Sequence, residues 1–148
     1  YGKTLIDFIA SQYADEYSIL QVGTGDSPLT IPFYFYYDEA DNIIYFHGVK
    51  EGHKADAVNR CDKVCLTVWN QGFKKEGHWE WNPTSVVVFG KVKPVTENNI
   101  FEDRLRKLAA KYYPTTDEIE EEMERSASRT QLFAIKIEHM TGKLVNEK

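Results

Sequence analysis

The sequence predicts a mainly β protein, a closed or split antiparallel β-barrel with flanking helices, and three observations lead to this class. Aromatic residues make up 14% of the chain, a high share that favours a β-rich core. Six segments are rich in β-branched and aromatic residues and are separated by turn or helix signals. Closing six hairpin-connected strands into a barrel removes the exposed sheet edges. The length of 148 residues suits one domain, so residues 1–148 are predicted to form a single unit.

The N-terminal part is predicted to contain a helix and three strands. Residues 3–12 place apolar side chains on one helical face, and residues 17–22 read as a strand closed by a Gly-rich turn. Residues 29–37 are apolar or aromatic almost throughout, which fits a strand buried on both faces or lining a site. Pro32 cannot donate to the ladder, so it marks an edge, a bulge or a ligand contact. A polar turn then leads into residues 43–47, and the two strands form a hairpin.

The central part continues with a short helix and two strands. The helix begins at Glu51 or Gly52 and ends at Asn59, and residues 63–69 form the next strand. A polar loop with tryptophans follows over residues 70–83. Residues 85–95 then form a long strand.

The C-terminal part is predicted to hold two helices and the last strand. Residues 96–113 show an apolar helical face, and Pro114 ends that helix. Thr115 or Thr116 can cap a second helix over residues 117–127, whose acidic run at 120–124 reads as a solvated face. Residues 131–140 form the sixth strand.

Composition argues against several classes of function. A formal net charge of −5 disfavours general binding to nucleic acid or to anionic membranes. No apolar run reaches the length that spans a bilayer, and no signal-peptide pattern opens the chain. The first residue is Tyr1 rather than Met, which leaves open whether residues precede it. Cys61 and Cys65 match neither a redox pair nor a zinc site, and free thiols suit the cytoplasm. The four histidines lack metal-ligand spacing, so no metal is predicted.

The segment 45–54, YFHGVKEGHK, carries the clearest chemical signal. A strand ends at His47, a loop with two glycines follows, and His53 and Lys54 open a helix. Glycines allow close backbone approach, a helix start offers free N–H groups, and Lys54 adds a full charge. These residues can form a phosphate-binding site, although a surface loop with a capped helix fits the same pattern.

Four other side chains are candidates for the site. His78, Trp79 and Trp81 could form a lid over a ring ligand or could simply anchor their loop. Strict alternation along the last strand places His139 on the side of Ile137, as a packed histidine or a catalytic one.

Taken together, residues 29–68 resemble the pyridoxamine 5′-phosphate oxidase-like, FMN-binding split-barrel superfamily, and within it the nitroimidazole-resistance-type branch. The matching pattern is a proline-containing strand, a strand ending in Tyr-Phe-His, a G-x-K helix start and a following valine-rich strand. Residues 85–90 and 137–143 agree as well. The resemblance covers roughly residues 20–143.

The resemblance implies a six-stranded antiparallel split barrel that forms a homodimer, with FMN in each of two interface clefts. The flavin ring would lie along Thr30, Ile31, Pro32, Phe33 and Tyr34, largely through backbone groups. The phosphate would be held by His47, Gly52, His53 and Lys54. The strand at Ser85 and Val86 would come near the flavin.

The sequence departs from pyridoxamine phosphate oxidases proper. Thr30 and Phe35 are uncharged where those enzymes carry arginine and lysine, and His139 replaces a substrate-binding arginine. The site therefore suits a small, flat, neutral aromatic substrate. The resemblance implies an FMN-dependent oxidoreductase that could reduce nitroimidazole or nitroaromatic compounds, with His47 as a proton donor. The alternative is a flavin-binding or sensing module without turnover; exchange of FMN for haem or a deazaflavin fits less well, since the phosphate site is intact.

Overall fold

The computed structural model describes residues 17–22 and 29–144, so the predicted helix at 3–12 and the turn after residue 22 lie outside the described residues. The strands are β1 Tyr17–Val22, β2 Leu29–Pro32, β3 Phe35–Asp38, β4 Ile43–Val49, β5 Lys63–Trp69, β6 Phe73–Lys74, β7 Trp81–Asn82, β8 Thr84–Pro94 and β9 Thr130–Leu144. The helices are α1 His53–Arg60, α2 Asn98–Ala110 and α3 Thr116–Ser126, and a 3₁₀ turn, Ala127–Arg129, joins α3 to β9. None of these helices is long and apolar enough to cross a membrane.

Seven strands form one antiparallel sheet in the order β2-β1-β5-β8-β9-β4-β3. Strands β2 and β3 lie at opposite edges of this sheet, yet only Phe33 and Tyr34 separate them in the chain. Two residues cannot span a flat sheet of seven strands, because strands lie about 4.8 Å apart. The sheet must therefore curl until its edges meet, which confirms the mainly β split barrel with flanking helices.

The predicted strand at residues 29–37 is wrong in one respect: it is two strands, which gives the sheet seven rather than six. The ladder of β2 ends at Pro32, which has no N–H to donate, and the chain crosses to the other edge before β3 begins. Burial on both faces is also wrong for β2, because Thr30 and Pro32 are exposed while Leu29 and Ile31 are half-buried.

The predicted loop at residues 70–83 contains a small ribbon of β6 and β7. The Oδ1 of Asn70 accepts hydrogen bonds from the backbone N–H groups of Gly72 and Thr84, at 3.0 and 2.9 Å. Gly72 has a φ of 69°, and a Cβ there would lie 2.7 Å from the Asn82 carbonyl oxygen. This turn therefore requires glycine.

Two apolar clusters hold the fold together. One fills the barrel, with Phe35, Phe46 and Phe133 among its fully buried side chains. The second lies outside the sheet, where α2 and α3 pack Leu105 and Met123 against the outer face of β4 and β9. The amphipathic pattern predicted both helices: α2 is shorter than expected, and α3 has the expected length but begins and ends one residue earlier.

An ionic cluster fixes helix α2 to the turn between β3 and β4. Arg104 contacts Asp38 through Nε at 3.1 Å and Asp41 through Nη2 at 3.3 Å. The Tyr45 hydroxyl donates to Asp41 at 2.7 Å, and burial, helped by this bond, raises the pKa of Tyr45 to about 12. The helix pair is thus held at a defined place on the barrel, which sets the site described next.

A β-bulge between β8 and β9 overturns the expected orientation of His139. Phe89 pairs with His139, but the next residue, Gly90, pairs with Ile137, so Glu138 is an extra residue in β9. The alternation shifts there, and His139 points outward with its ring 6.3 Å from that of Phe89. A Cβ on Gly90 would lie 2.3 Å from the Lys136 carbonyl oxygen, so the bulge depends on glycine.

Candidate functional site

A pocket of about 1240 Å³ lies between the ends of several barrel strands and the pair of helices α2 and α3. Its barrel side is formed by residues 32–34, 47–49, Lys54 and Trp69, and its helical side by residues of α2, α3 and the following turn. Small-molecule sites usually enclose roughly 300–1000 Å³. This pocket therefore has room for a ligand of cofactor size.

Lys54 provides a half-buried positive charge at one end of the pocket. Its Nζ donates to the His47 carbonyl oxygen at 3.3 Å and lies 5.9 Å from the centre of the Phe46 ring. Loss of hydration lowers the pKa of Lys54. No carboxylate in the described part of the chain forms an ion pair with it. A desolvated ammonium without a counter-ion favours an anion in the pocket.

Gly48 makes space for that ammonium. A Cβ at Gly48 would lie 3.1 Å from Lys54 Cδ and 3.4 Å from Lys54 Nζ, closer than side chains normally pack. The glycine of the sequence motif therefore allows Lys54 to lie across the end of β4.

The first turn of α1 adds backbone donors beside Lys54. Gly52 is the N-cap with a φ of 123°, and no side chain caps the helix. The first N–H groups of a helix have no partner within it and attract anions. Gly52 and His53 are exposed next to the pocket and do not line it.

His47 lies at the opening of the pocket on β4, and its side chain is partly accessible to solvent. Loss of hydration, and then the charge of Lys54, lower the pKa of His47, while the Glu122 carboxylate on α3 opposes them. The imidazole is therefore neutral at neutral pH. A neutral imidazole has one N–H donor and one nitrogen acceptor, so it can give a proton to a ligand and recover one from solvent.

Another part of the pocket lining is aromatic. Pro32 ends β2, Phe33 and Tyr34 form the break before β3, and the Tyr34 ring packs against Tyr112 with centroids 4.9 Å apart at a tilt of 58°. Burial, followed by the proximity of Tyr34, raises the pKa of Tyr112 to about 12, so its hydroxyl stays neutral. A wall of this kind suits a planar ring.

The structure brings some of the predicted site residues together and separates others. Pro32, Phe33, Tyr34, His47 and Lys54 line the one pocket. Of the remaining predicted residues, Thr30 shares the exposed face of β2 with Pro32, whereas Ile31 is half-buried on the other face.

The predicted contacts at Ser85 and Val86 lie one strand away from the pocket. Val86 is fully buried in the barrel core, and half-buried Ser85 pairs with the pocket residue Trp69. Strand β8 has neighbours on both sides, so its backbone groups are engaged in the sheet.

The helical side of the pocket has no counterpart in the sequence motif. Glu122, which the acidic run predicted to be solvated, is half-buried and lines the pocket, where its Oε1 accepts a hydrogen bond from Ser126 Oγ at 2.6 Å. Ile119, just before that run, and Met123, four residues later within it, were the signal that this helix also has a buried face.

The two tryptophans of the 70–83 segment do not cover the pocket. Trp79 is 83% exposed and Trp81 is 54% exposed, and neither lines the pocket. The Trp81 Nε1–H donates to the Gln71 carbonyl oxygen, so Trp81 anchors its own loop. The lid role is not supported by this arrangement.

Comparisons with known proteins give the same family at the level of sequence. The sequence profile described as pyridoxamine 5′-phosphate oxidase matches residues 15–144. No curated protein matches the sequence.

Several solved structures are similar in fold. A candidate 5-nitroimidazole antibiotic resistance protein from Bacteroides thetaiotaomicron is 21% identical, with a TM-score of 0.76 over 97% of this chain and 84% of that one. An FAD-binding protein from Mesorhizobium loti is 14% identical, with a TM-score of 0.69 over 99% and 96% of the two chains. An FAD and haem binding protein from Mycobacterium smegmatis is 14% identical, with a TM-score of 0.72 over 99% and 72%.

Proposed function

The chain belongs to the pyridoxamine 5′-phosphate oxidase family, and from this membership we propose that it is a flavoprotein that binds FMN in the pocket between the barrel and helices α2 and α3. The similar structures described as FAD-binding proteins support a flavin. The observation that carries the choice of FMN is the desolvated Lys54 ammonium, which has no carboxylate partner among the described residues and shares its pocket with the aromatic side chains of Phe33 and Tyr34. A terminal phosphate joined to a planar ring system matches both features.

Different residues of the pocket would bind the phosphate and the flavin ring. Lys54 and the free N–H groups that begin α1 would hold the phosphate, with Gly52 and His53 at the rim. Pro32, Phe33 and Tyr34 would support the ring, with Thr30 continuing that wall along β2 and Ile31 contributing through its backbone. Ser85 and Val86 would act indirectly, by fixing the β5 strand that carries Trp69.

The proposed activity is that of an FMN-dependent oxidoreductase acting on small, flat aromatic compounds, including nitroimidazoles and nitroaromatics. The bound cofactor would supply electron transfer. The apolar helical wall would exclude water, and the His47 N–H would donate a proton to the substrate atom that gains electron density. The similarity to a candidate 5-nitroimidazole resistance protein supports this substrate class.

We also propose that the protein is a homodimer of the cytoplasm. Val49, Phe73, Phe89, Trp79 and Trp81 are large apolar side chains left about half or more exposed. A two-fold interface over some of these side chains would bury them and complete the pocket from both chains. The free thiols of Cys61 and Cys65 fit a reducing compartment.

Titration of the purified protein with FMN tests the cofactor. Binding should quench FMN fluorescence, and a hundredfold excess over Kd should stabilise the fold by about 2.7 kcal/mol. That corresponds to a rise in Tm of roughly 5–10 °C for a chain of this size. A fold that gains no stability from saturating FMN would refute the cofactor.

Steady-state reduction of a nitroaromatic compound by the FMN-loaded protein tests the enzyme. Turnover supports the oxidoreductase, and tight FMN binding without turnover supports the sensing module instead. Sedimentation equilibrium at low micromolar concentration tests the dimer: the mass of one chain with FMN still bound would refute the shared pocket.

A further inference from the structure

The proposed phosphate site needs more positive charge than Lys54 provides. A phosphate monoester carries about −1.5 to −2 at neutral pH. Lys54 supplies one charge, and the N–H groups at the start of α1 supply partial charges. A second full positive charge in the pocket would balance the phosphate.

The histidines near the site do not supply that charge. The pKa of His47 is lowered by loss of hydration and by Lys54 itself, so its imidazole is neutral at pH 7. His53 is exposed and does not line the pocket. Among the described residues, a second cation would therefore come from another element that lines the pocket.

Arg129 meets the requirement. It ends the 3₁₀ turn after α3 and lines the same pocket as Lys54. Its neighbour Thr130 pairs with Val49 on β4, one residue from the Gly48 that accommodates Lys54. Arg129 thus precedes the start of β9, which pairs with the end of β4, and Lys54 of α1 lies against that same end of β4.

The guanidinium of Arg129 is available for an anion. Its recorded contact is Nη2 with Ser126 Oγ at 3.5 Å, and within residues 17–22 and 29–144 it forms no ion pair. Glu122, the acidic side chain of the pocket, is already bound by Arg125 and by Ser126. Lys54 and Arg129 are therefore the cations of the described pocket that have no carboxylate partner.

We propose that Arg129 is the second cationic ligand of the flavin phosphate and binds it together with Lys54 from the opposite side. This inference rests on the proposed FMN function. A guanidinium offers two parallel N–H donors to phosphate oxygens, a geometry that lysine lacks. Arg129 would thus orient the phosphate, while Lys54 adds a point charge. With Arg129, the phosphate site would include the turn before β9 as well as the sequence motif at 45–54.

Binding of three ligands to matched variants tests this role. The variants are Arg129→Gln, Arg129→Lys and the control Arg60→Gln, because Arg60 is exposed at the end of α1 and does not line the pocket. Fluorescence titration of the apoprotein gives Kd for FMN, riboflavin and FAD. Arg129→Gln should weaken FMN binding about ten- to hundredfold and leave riboflavin within twofold, since riboflavin has no phosphate. Arg129→Lys should restore part of the loss, and Arg60→Gln should match the wild type.

The outcomes separate this inference from the function on which it rests. If the wild type binds no flavin, the proposed function fails. If the wild type prefers FMN to riboflavin and Arg129→Gln keeps that full preference, the cofactor stands and the role of Arg129 is refuted. Equal weakening of FMN and riboflavin would place Arg129 away from the phosphate. If Arg129→Gln weakened the binding of FAD alone, Arg129 would be assigned to a diphosphate, and its assignment to the FMN phosphate would be refuted.

Discussion

Removal of the Lys54 charge should separate FMN binding from riboflavin binding. Lys54→Met keeps the apolar stem that lies against Gly48 and removes the ammonium. In the structure that ammonium has one hydrogen bond, to the His47 carbonyl oxygen, and its pKa is lowered by loss of hydration. A charge-assisted hydrogen bond to a phosphate contributes about 1.5–3 kcal/mol. The expected loss of FMN affinity is therefore about ten- to hundredfold.

The same substitution should not destabilise the protein without flavin. The half-buried Lys54 ammonium has no counter-ion among the described residues and regains one hydrogen bond of 3.3 Å for the hydration it loses, so its replacement by an apolar group should be neutral or stabilising. We therefore expect the Tm of the apoprotein to stay constant or to rise, while FMN affinity falls. This opposite response is typical of a binding residue and not of a structural one.

Fluorescence titration of the apoprotein with FMN and with riboflavin measures both affinities. Lys50→Met is the matched control, because Lys50 is exposed four residues earlier and does not line the pocket. Lys54→Arg should retain most of the FMN affinity. Equal losses for the two flavins, or a similar loss in the Lys50 variant, would show that Lys54 does not contact the phosphate.

Three further substitutions test the geometry around the site. Gly48→Ala places a Cβ 3.1 Å from Lys54 Cδ, so it should displace the ammonium and weaken FMN more than riboflavin in the same titration; an unchanged FMN Kd would contradict this. Thr115→Ala removes the capping box that Thr115 forms with Glu118, and thermal unfolding should show a loss of about 1 kcal/mol, or roughly 2–4 °C in Tm. His47→Gln should reduce the pH dependence of stability. The pKa of His47 is lowered in the folded protein. The stability that this residue contributes is therefore fully present above about pH 6.5 and is lost as the pH falls through that value towards the folded pKa. Denaturant unfolding at pH 8 and pH 5 measures the loss of stability, and an equal loss in the variant and the wild type would refute this role.

Local signals in the sequence were sufficient for most of the strands and for one half of the pocket. The alternation of apolar residues and the turn at residues 38–42 place the hairpin of β3 and β4 correctly. The motif at 45–54 places His47 and Lys54 in one site because strand, loop and helix follow one another along the chain. Pro32 marked an edge or bulge, and the structure adds that the chain crosses the whole sheet there.

The other half of the pocket depends on contacts between distant segments. The same apolar pattern that predicts α2 and α3 would fit packing against many surfaces, and their position is fixed by contacts such as the Arg104 cluster, the hydrogen bond from Lys111 to the Phe35 carbonyl oxygen and the packing on the outer face of β4 and β9. Arg129 follows from that placement. The bulge at Glu138 has no signature in the apolar pattern of β9, which is why strict alternation placed His139 on the wrong face.

The position of β9 in the sheet also sets the order in which the protein can fold. Strand β9 pairs with both β8 and β4, and it follows both of them in the chain. Until the ribosome has released β9, the barrel cannot close, and β4 and β8 each present an unpaired edge to other chains. Pairing between segments so far apart in sequence also slows folding. Loss of residues 130–144 would therefore leave an aggregation-prone chain rather than a smaller barrel.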